Sequence, residues 1–170
     1  MRDQFNRTQE FDSGRYRESV VVGRGKPRTM NFEAYAAEGN RFIREVAFEM
    51  NADRDRAARV TRAVLHALRD RLPADDGVQF GQGLPMAIKA VYFDQYDISK
   101  TPVVIRRPNQ FLDFIAYKAG MSSVIDFPDR ESAEEGLRAV FRVLERHMSF
   151  GQVEQIKHML NREIMEMING

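Results

Sequence analysis

An all-α fold is predicted for this chain: two tandem homologous helical units of about four helices each, packed together behind a flexible N-terminal tail. Three observations carry that reading. Ala63-Val64-Leu65 with Leu68 and Leu72 returns as Ala139-Val140-Phe141 with Leu144 and Met148, at an offset of 76 (139 − 63). From Asn31 onward apolar residues recur at three- and four-residue steps, which puts them on one face of a helix. Pro, Gly, Asn and Asp punctuate those stretches where helices should stop and restart. Internal duplication fixes architecture ahead of any local motif, so it sets the frame.

Residues 1–30 hold only one apolar knot, Val20-Val21-Val22, and no sustained period, so they are expected to form a disordered or loosely docked tail. The triple Val could lie as a short strand on the body. Seven basic residues against four acidic ones give the tail a modest positive excess, too small for a nucleic-acid arm. Residues 31–96 form the first predicted unit. Phe32, Tyr35, Ala36, Phe42, Ile43, Val46, Ala47 and Met50 mark its first helix, with Gly39 as an expected break or kink. Asp53 is placed to cap a second helix over roughly 54–72, because a short carboxylate accepts the unpaired amides of a helix start. Ala58, Thr61, Val64, Leu65, Leu68 and Leu72 form its apolar stripe, and Pro73 ends it. A short segment with Val78 and Phe80 follows, Gly81-Gln82-Gly83 interrupts, and Leu84-Pro85 opens a last helix through Ile88, Val91, Tyr92 and Phe93.

Residues 97–108 read as an extended connector, since prolines flank the β-branched run Val103-Val104-Ile105. The second unit, 109–170, begins with Asn109 as its expected cap. Phe111, Leu112, Ile115 and Ala116 match Phe42, Ile43, Val46 and Ala47 at an offset of 69 (111 − 42), so seven extra residues are assigned to a loop between Gly120 and Asp129. Glu131, Glu134 and Glu135 suit the positive end of the next helix. Ser149 with Gln152 predicts a capping box, and Asn161 restarts the chain toward Ile164 and Ile168.

With 170 residues and 43% hydrophobic content the chain can bury a real core. Its formal net charge of +1, from 26 basic and 25 acidic residues, creates no global field calling for a polyanion or an anionic membrane. The absence of Cys excludes disulfides, thiolate metal sites and a Cys nucleophile, and suits a reducing cytoplasm. No apolar stretch is long enough for a signal peptide or a membrane span, so a soluble cytoplasmic protein is expected.

Ala63-Val64-Leu65-His66-Ala67-Leu68-Arg69-Asp70-Arg71-Leu72-Pro73, then Leu84-Pro85, Tyr92-Phe93-Asp94, Thr101-Pro102 and the restart at Phe111 resemble the bacterial domain-of-unknown-function family numbered 2267. The resemblance covers roughly residues 41–168. It implies a small, helical, cytoplasmic bacterial protein, and it brings no catalytic residues. Phe42 to Leu68 also reads somewhat like the two-helix start of histone-like bacterial DNA-binding proteins, whose DNA-gripping β-arms have no counterpart here.

Arg59, Arg62, His66 and Arg69 follow i, i+3, i+7, i+10 and are expected to share a polar face opposite the apolar stripe, able to anchor an acidic partner or phosphates. The second unit has Glu135, Arg138, Arg142 and Glu145 in those places, which argues against a duplicated nucleic-acid reader. Salt bridges to Asp55 and Asp70 are the plainer expectation. Met165 and Met167, with Met159, offer a soft apolar surface to a partner, although core packing is the simpler role. His147, Glu154 and His158 do not amount to the three or four ligands a metal wants. Gly81-Gln82-Gly83 and Gly23-Arg24-Gly25-Lys26 lack the context of a phosphate loop, Ser122 and Ser123 have no sequence-placed base, and the adjacent Glu134 and Glu135 diverge on a helix. No catalytic residue, cofactor or metal is therefore predicted. The expected function is a non-enzymatic protein-interaction or regulatory module that binds an unidentified protein and no membrane. Nucleic-acid binding through the basic helix face is one alternative. A small-ligand binder or enzyme using a pocket between the repeats is the other.

Overall fold

The computed structural model describes residues 30–170, so the predicted tail, with its triple Val, lies outside the described residues. Every regular element among the described residues is helical. Helix α1 (Phe32–Glu49) buries Gly39, Phe42 and Val46. It runs through Gly39 without the expected break, because the missing side chain is used for close packing: a Cβ there would sit 2.6 Å from the Cβ of Ala87. Asn51 turns the chain with a φ of 48°. Asp53 then caps α2 (Arg54–Arg71), its carboxylate accepting the Arg56 amide at 2.9 Å.

Helix α2 is the spine of the molecule. From Ala63 to Asp70 every residue is buried, so it presents no solvent face over its second half. Leu72 and Pro73 end it, and two short helices follow, α3 (Ala74–Gln82) and α4 (Met86–Phe93), separated by Gly83-Leu84-Pro85. The connector holds a 3₁₀ turn over Ile98–Lys100 and a cis Thr101–Pro102 peptide, then runs extended, with the Val103 amide donating to the Asp70 carbonyl at 2.7 Å.

Helix α5 (Pro108–Lys118) starts one residue before the expected cap. Arg107 is the N-cap and Pro108 takes the first helical position, where its missing N–H costs nothing, so Asn109 is already inside the helix. The expected loop at Gly120–Asp129 is itself wound into a 3₁₀ turn (Gly120–Ser122) and a one-turn helix, α6 (Ser123–Asp126). Asp129 caps α7 (Arg130–His147), the Ser149–Gln152 capping box opens α8 (Phe150–Met159), and Asn161 caps α9 (Arg162–Asn169).

Helices α2 to α4 and α7 to α9 follow one spacing along the chain. Helices α2 and α7 each have 18 residues, and α2, α3 and α4 start at Arg54, Ala74 and Met86 where α7, α8 and α9 start at Arg130, Phe150 and Arg162. One core joins them: Phe42, Leu65 and Tyr92 lie in the same cluster as Phe111, Leu137 and Ile164. Helix α2 packs against α1, α4, α5, α6 and α7, which explains its all-round burial. Helix α7 packs against α1, α2, α5, α8 and α9 but keeps Glu135, Arg142, Glu145 and Arg146 in solvent.

Candidate functional site

The expected polar face of α2 is only half a surface. Arg59 and Arg62 reach solvent, but His66 and Arg69 are 4% and 2% exposed. The i, i+3, i+7, i+10 spacing does align them; what fails is the assumption that the opposite side of α2 faces water, since α4 and the segment after it cover that side. His66 donates its Nε2 proton to the Val91 carbonyl at 2.7 Å, and burial pushes its pKa from 6.5 to about 4, so it is neutral at physiological pH. Arg69 is held by four groups. Its Nε donates to Asp70 Oδ1 at 2.6 Å, its Nη1 donates to the carbonyls of Tyr92 at 2.5 Å and Asp94 at 2.9 Å, and its guanidinium lies 4.7 Å from the centre of the Tyr96 ring. Lys118 of α5 closes the network on Asp70 Oδ2. Burial alone would raise the Asp70 carboxyl, yet hydrogen bonds from Arg69 and Lys118 outweigh it and hold it below the usual range. This cluster ties α2, α4 and α5 together and leaves neither His66 nor Arg69 for a partner.

Arg59 and Arg62 take acids other than the expected Asp55. Arg59 grips the buried Asp126 with two bonds of 2.7 and 2.8 Å. The Asp126 carboxyl is lowered first by that hydrogen bonding, and the Arg59 guanidinium is raised by it. Arg62 makes looser contacts, with Asp94 at 3.2 Å, both side chains partly in solvent, and with the Gln95 amide oxygen at 3.5 Å.

These two arginines stand on the rim of an apolar trough of about 510 Å³ between α1, α2 and α4. Its walls are Ala36, Gly39, Asn40 and Ile43 from α1, Ala58, Arg59, Thr61 and Arg62 from α2, and Ala87, Ile88 and Val91 from α4. Small side chains make the space: the Gly39–Ala87 approach forms the floor, and Ala36 and Ala58 project too little to fill it. The Thr61 hydroxyl is already used, donating to the Ala57 carbonyl at 2.7 Å. Arg54, at the start of α2, donates to the amide oxygen of Asn40 on the opposite wall.

The corresponding region of the second half has a similar volume, about 530 Å³, and different chemistry. Arg107, Pro108, Asn109, Gln110, Asp113, Arg130 and Glu163 line it. Pro108 and Asn109 stand where the first half has Gly39 and Asn40, and Glu163 stands for Ala87. Deeper in, Glu134 and Leu137 replace Ala58 and Thr61, and Arg138 bridges Glu134 and the Met167 carbonyl. Arg130 and Asp113 form a bidentate pair, with both bonds 2.8 Å.

Met165, Met167 and Met159 are partly buried and pack against the core, so the Met-rich end is mostly committed to the interior. His147 lies 3.2 Å from Glu45 and against Phe42, while Glu154 contacts Lys157 and not His158. Ser122 donates to the Ala119 carbonyl. Among the described residues no group of three or more His, Asp or Glu is placed to hold a metal ion. Between the halves a smaller pocket of about 190 Å³ is walled by Gln79, Phe80, Gln82, Gln152, Gln155, Ile156 and Met159, and it presents amide and apolar groups only.

Sequence reasoning missed Ala36, Gly39, Asn40, Ala58 and Ala87 as site residues. Small residues carry no periodic signature, and a usable sign was the replacement of Ala58 and Ala87 by Glu134 and Glu163 at the same offset in the second half. A family model described as an uncharacterized conserved protein (DUF2267) matches residues 39–167. No curated protein matches the chain.

Proposed function

Because the chain belongs to the DUF2267 family of uncharacterised conserved proteins, we propose that it works without catalysis, as a protein-interaction module that offers the α1–α2–α4 trough to another protein. The observation that carries the reading is the contrast between the halves. An apolar trough with a cationic rim occupies the first, and carboxylates and Arg138 occupy the same helices in the second. An apolar lining in one half and a charged lining around a cleft of similar volume in the other is not a requirement of packing these helices.

The two halves are read as copies of one unit. Gln155 donates to Gln79 across a separation of 76 residues, and a Cβ on Gly136 would lie 2.8 Å from Val60. Residues at equal offset meet in this way beside a twofold axis. The absence of Cys from the sequence suits a cytoplasmic location, and none of the described helices is long and apolar enough to cross a membrane. Nucleic-acid binding is the weaker reading, since two of the four cations it relied on are buried or neutral and the others are paired with Asp126 and Asp94.

A photo-crosslinking residue at position 58 tests the proposal in living cells. It is expected to give a discrete protein adduct that the same residue at position 134 does not give. No adduct at 58, or the same adducts at both positions, would overturn it.

A further inference from the structure

We infer that the occupant of the α1–α2–α4 trough is an amphipathic helix whose apolar stripe is flanked by carboxylates. The inference rests on the trough being a protein-binding site, and it adds the charge and shape of the partner. Both charged side chains that line the trough are arginines, Arg59 and Arg62, and no acid lines it. Arg59 is held by the buried Asp126 through two bonds and stays as a wall. Arg62 is different: its contacts to the part-exposed Asp94, at 3.2 Å, and to the Gln95 amide oxygen, at 3.5 Å, are long, and such exposed pairs exchange partners at little cost. Arg54, at the end of the trough, is held by the neutral amide of Asn40, so its charge is not cancelled at that contact. Two adaptable cations beside an apolar channel select carboxylates on the incoming segment.

The shape argues for a helix. Ala36, Gly39, Asn40 and Ile43 form the α1 wall and span about two turns, roughly 10 Å. That length receives apolar anchors at i, i+3 or i+4, and i+7 of one partner helix, the usual way an amphipathic helix enters a groove.

The test uses two stapled helical peptides with the same three leucines at i, i+4 and i+7, one flanked by Glu and one by Lys. Each is titrated into the full chain by fluorescence anisotropy at low and high salt, with dodecanoate as a third probe. The Glu-flanked peptide is expected to bind at least tenfold more tightly than its Lys-flanked isomer, and to lose that advantage at high salt and in Arg62→Glu. Ala58→Glu should abolish binding, because it places beside Arg62 the carboxylate that Glu134 presents to Arg138 in the second half; Ala36→Ile provides a second, uncharged block. Thermal melts establish that each variant folds. If the Lys-flanked peptide binds as well, and Ala58→Glu and Ala36→Ile still block it, the charge inference falls while the groove reading stands. If neither peptide responds to the blocking variants, or if only dodecanoate binds, both fall.

Discussion

The trough between α1, α2 and α4 and the cleft between α5, α7 and α9 are built on helices in the same order, with α2 and α4 matching α7 and α9 in length, and they end as different surfaces. In the first, Gly39, Ala58 and Ala87 leave an apolar channel. In the second, Pro108, Glu134 and Glu163 occupy those positions, and the Arg130–Asp113 ion pair lines the cleft. The same asymmetry runs inward along α2 and α7. His66 and Arg69 are buried, while Arg142 and Glu145, their counterparts, are exposed and paired with Glu49 and Lys157. A helical scaffold can be kept by preserving apolar spacing, while a few side chains at its margins decide whether a groove is greasy or charged.

The largest expected break in this asymmetry comes from the buried arginine. Arg69→Met leaves the Tyr92 and Asp94 carbonyls without their donor and takes one of two cations from Asp70, and it should cost about 3–5 kcal/mol. Glu145→Gln at the matching position of α7 should stay within about 0.5 kcal/mol. Urea unfolding of both variants measures the difference, and equal losses would show that the halves are energetically alike.

Next in size is a pH effect confined to the first half. Buried His66 titrates at about 4 in the folded chain, against 6.5 as its ordinary value, so between those values the unfolded chain binds the proton more readily. Stability should therefore be complete above about pH 6.5 and fall by roughly 3 kcal/mol as the pH drops to about 4. His66→Gln should flatten that stretch of the curve. The acids held low by their partners, Glu45, Glu49, Asp70 and Asp126 among them, add their own loss at the acid end of that stretch, so the difference between the two chains isolates the His66 share.

A smaller effect probes the trough floor. Gly39→Ala forces two Cβ atoms to within 2.6 Å, and neither can rotate away. The gain in helix propensity, up to about 1 kcal/mol, opposes an overpacking cost of about 1–3 kcal/mol, so a modest net loss is expected. Ala87→Gly in the same chain should recover part of it. A double-mutant cycle by thermal unfolding reads the coupling, and strict additivity would mean that α1 and α4 do not meet there.

Much of the fold was legible because its determinants are local. Asp53, Ser149 and Asn161 cap the helices at which the sequence placed them, since a side-chain oxygen within three residues of a free amide needs no tertiary partner. Asn109 was misplaced because proline at the first helical position competes with a cap one residue later. The candidate site was legible only at Arg59 and Arg62. Burial of His66 and Arg69 depends on α4 and α5 arriving from 20 to 50 residues away, and their polar character pointed toward water when carbonyls and Asp70 were waiting inside.

By itself the sequence determined that this is a helical protein, where most helices start and stop, and which apolar positions form the core. Hydrogen bonding within a helix and the period of its apolar residues are properties of neighbouring residues. Tertiary packing alone decided which side of α2 is covered, that Gly39 is a contact point instead of a kink, and that an apolar trough opens beside two arginines. Those outcomes depend on distances between separate helices, and an empty space lined by small side chains leaves no periodic trace in the chain that forms it.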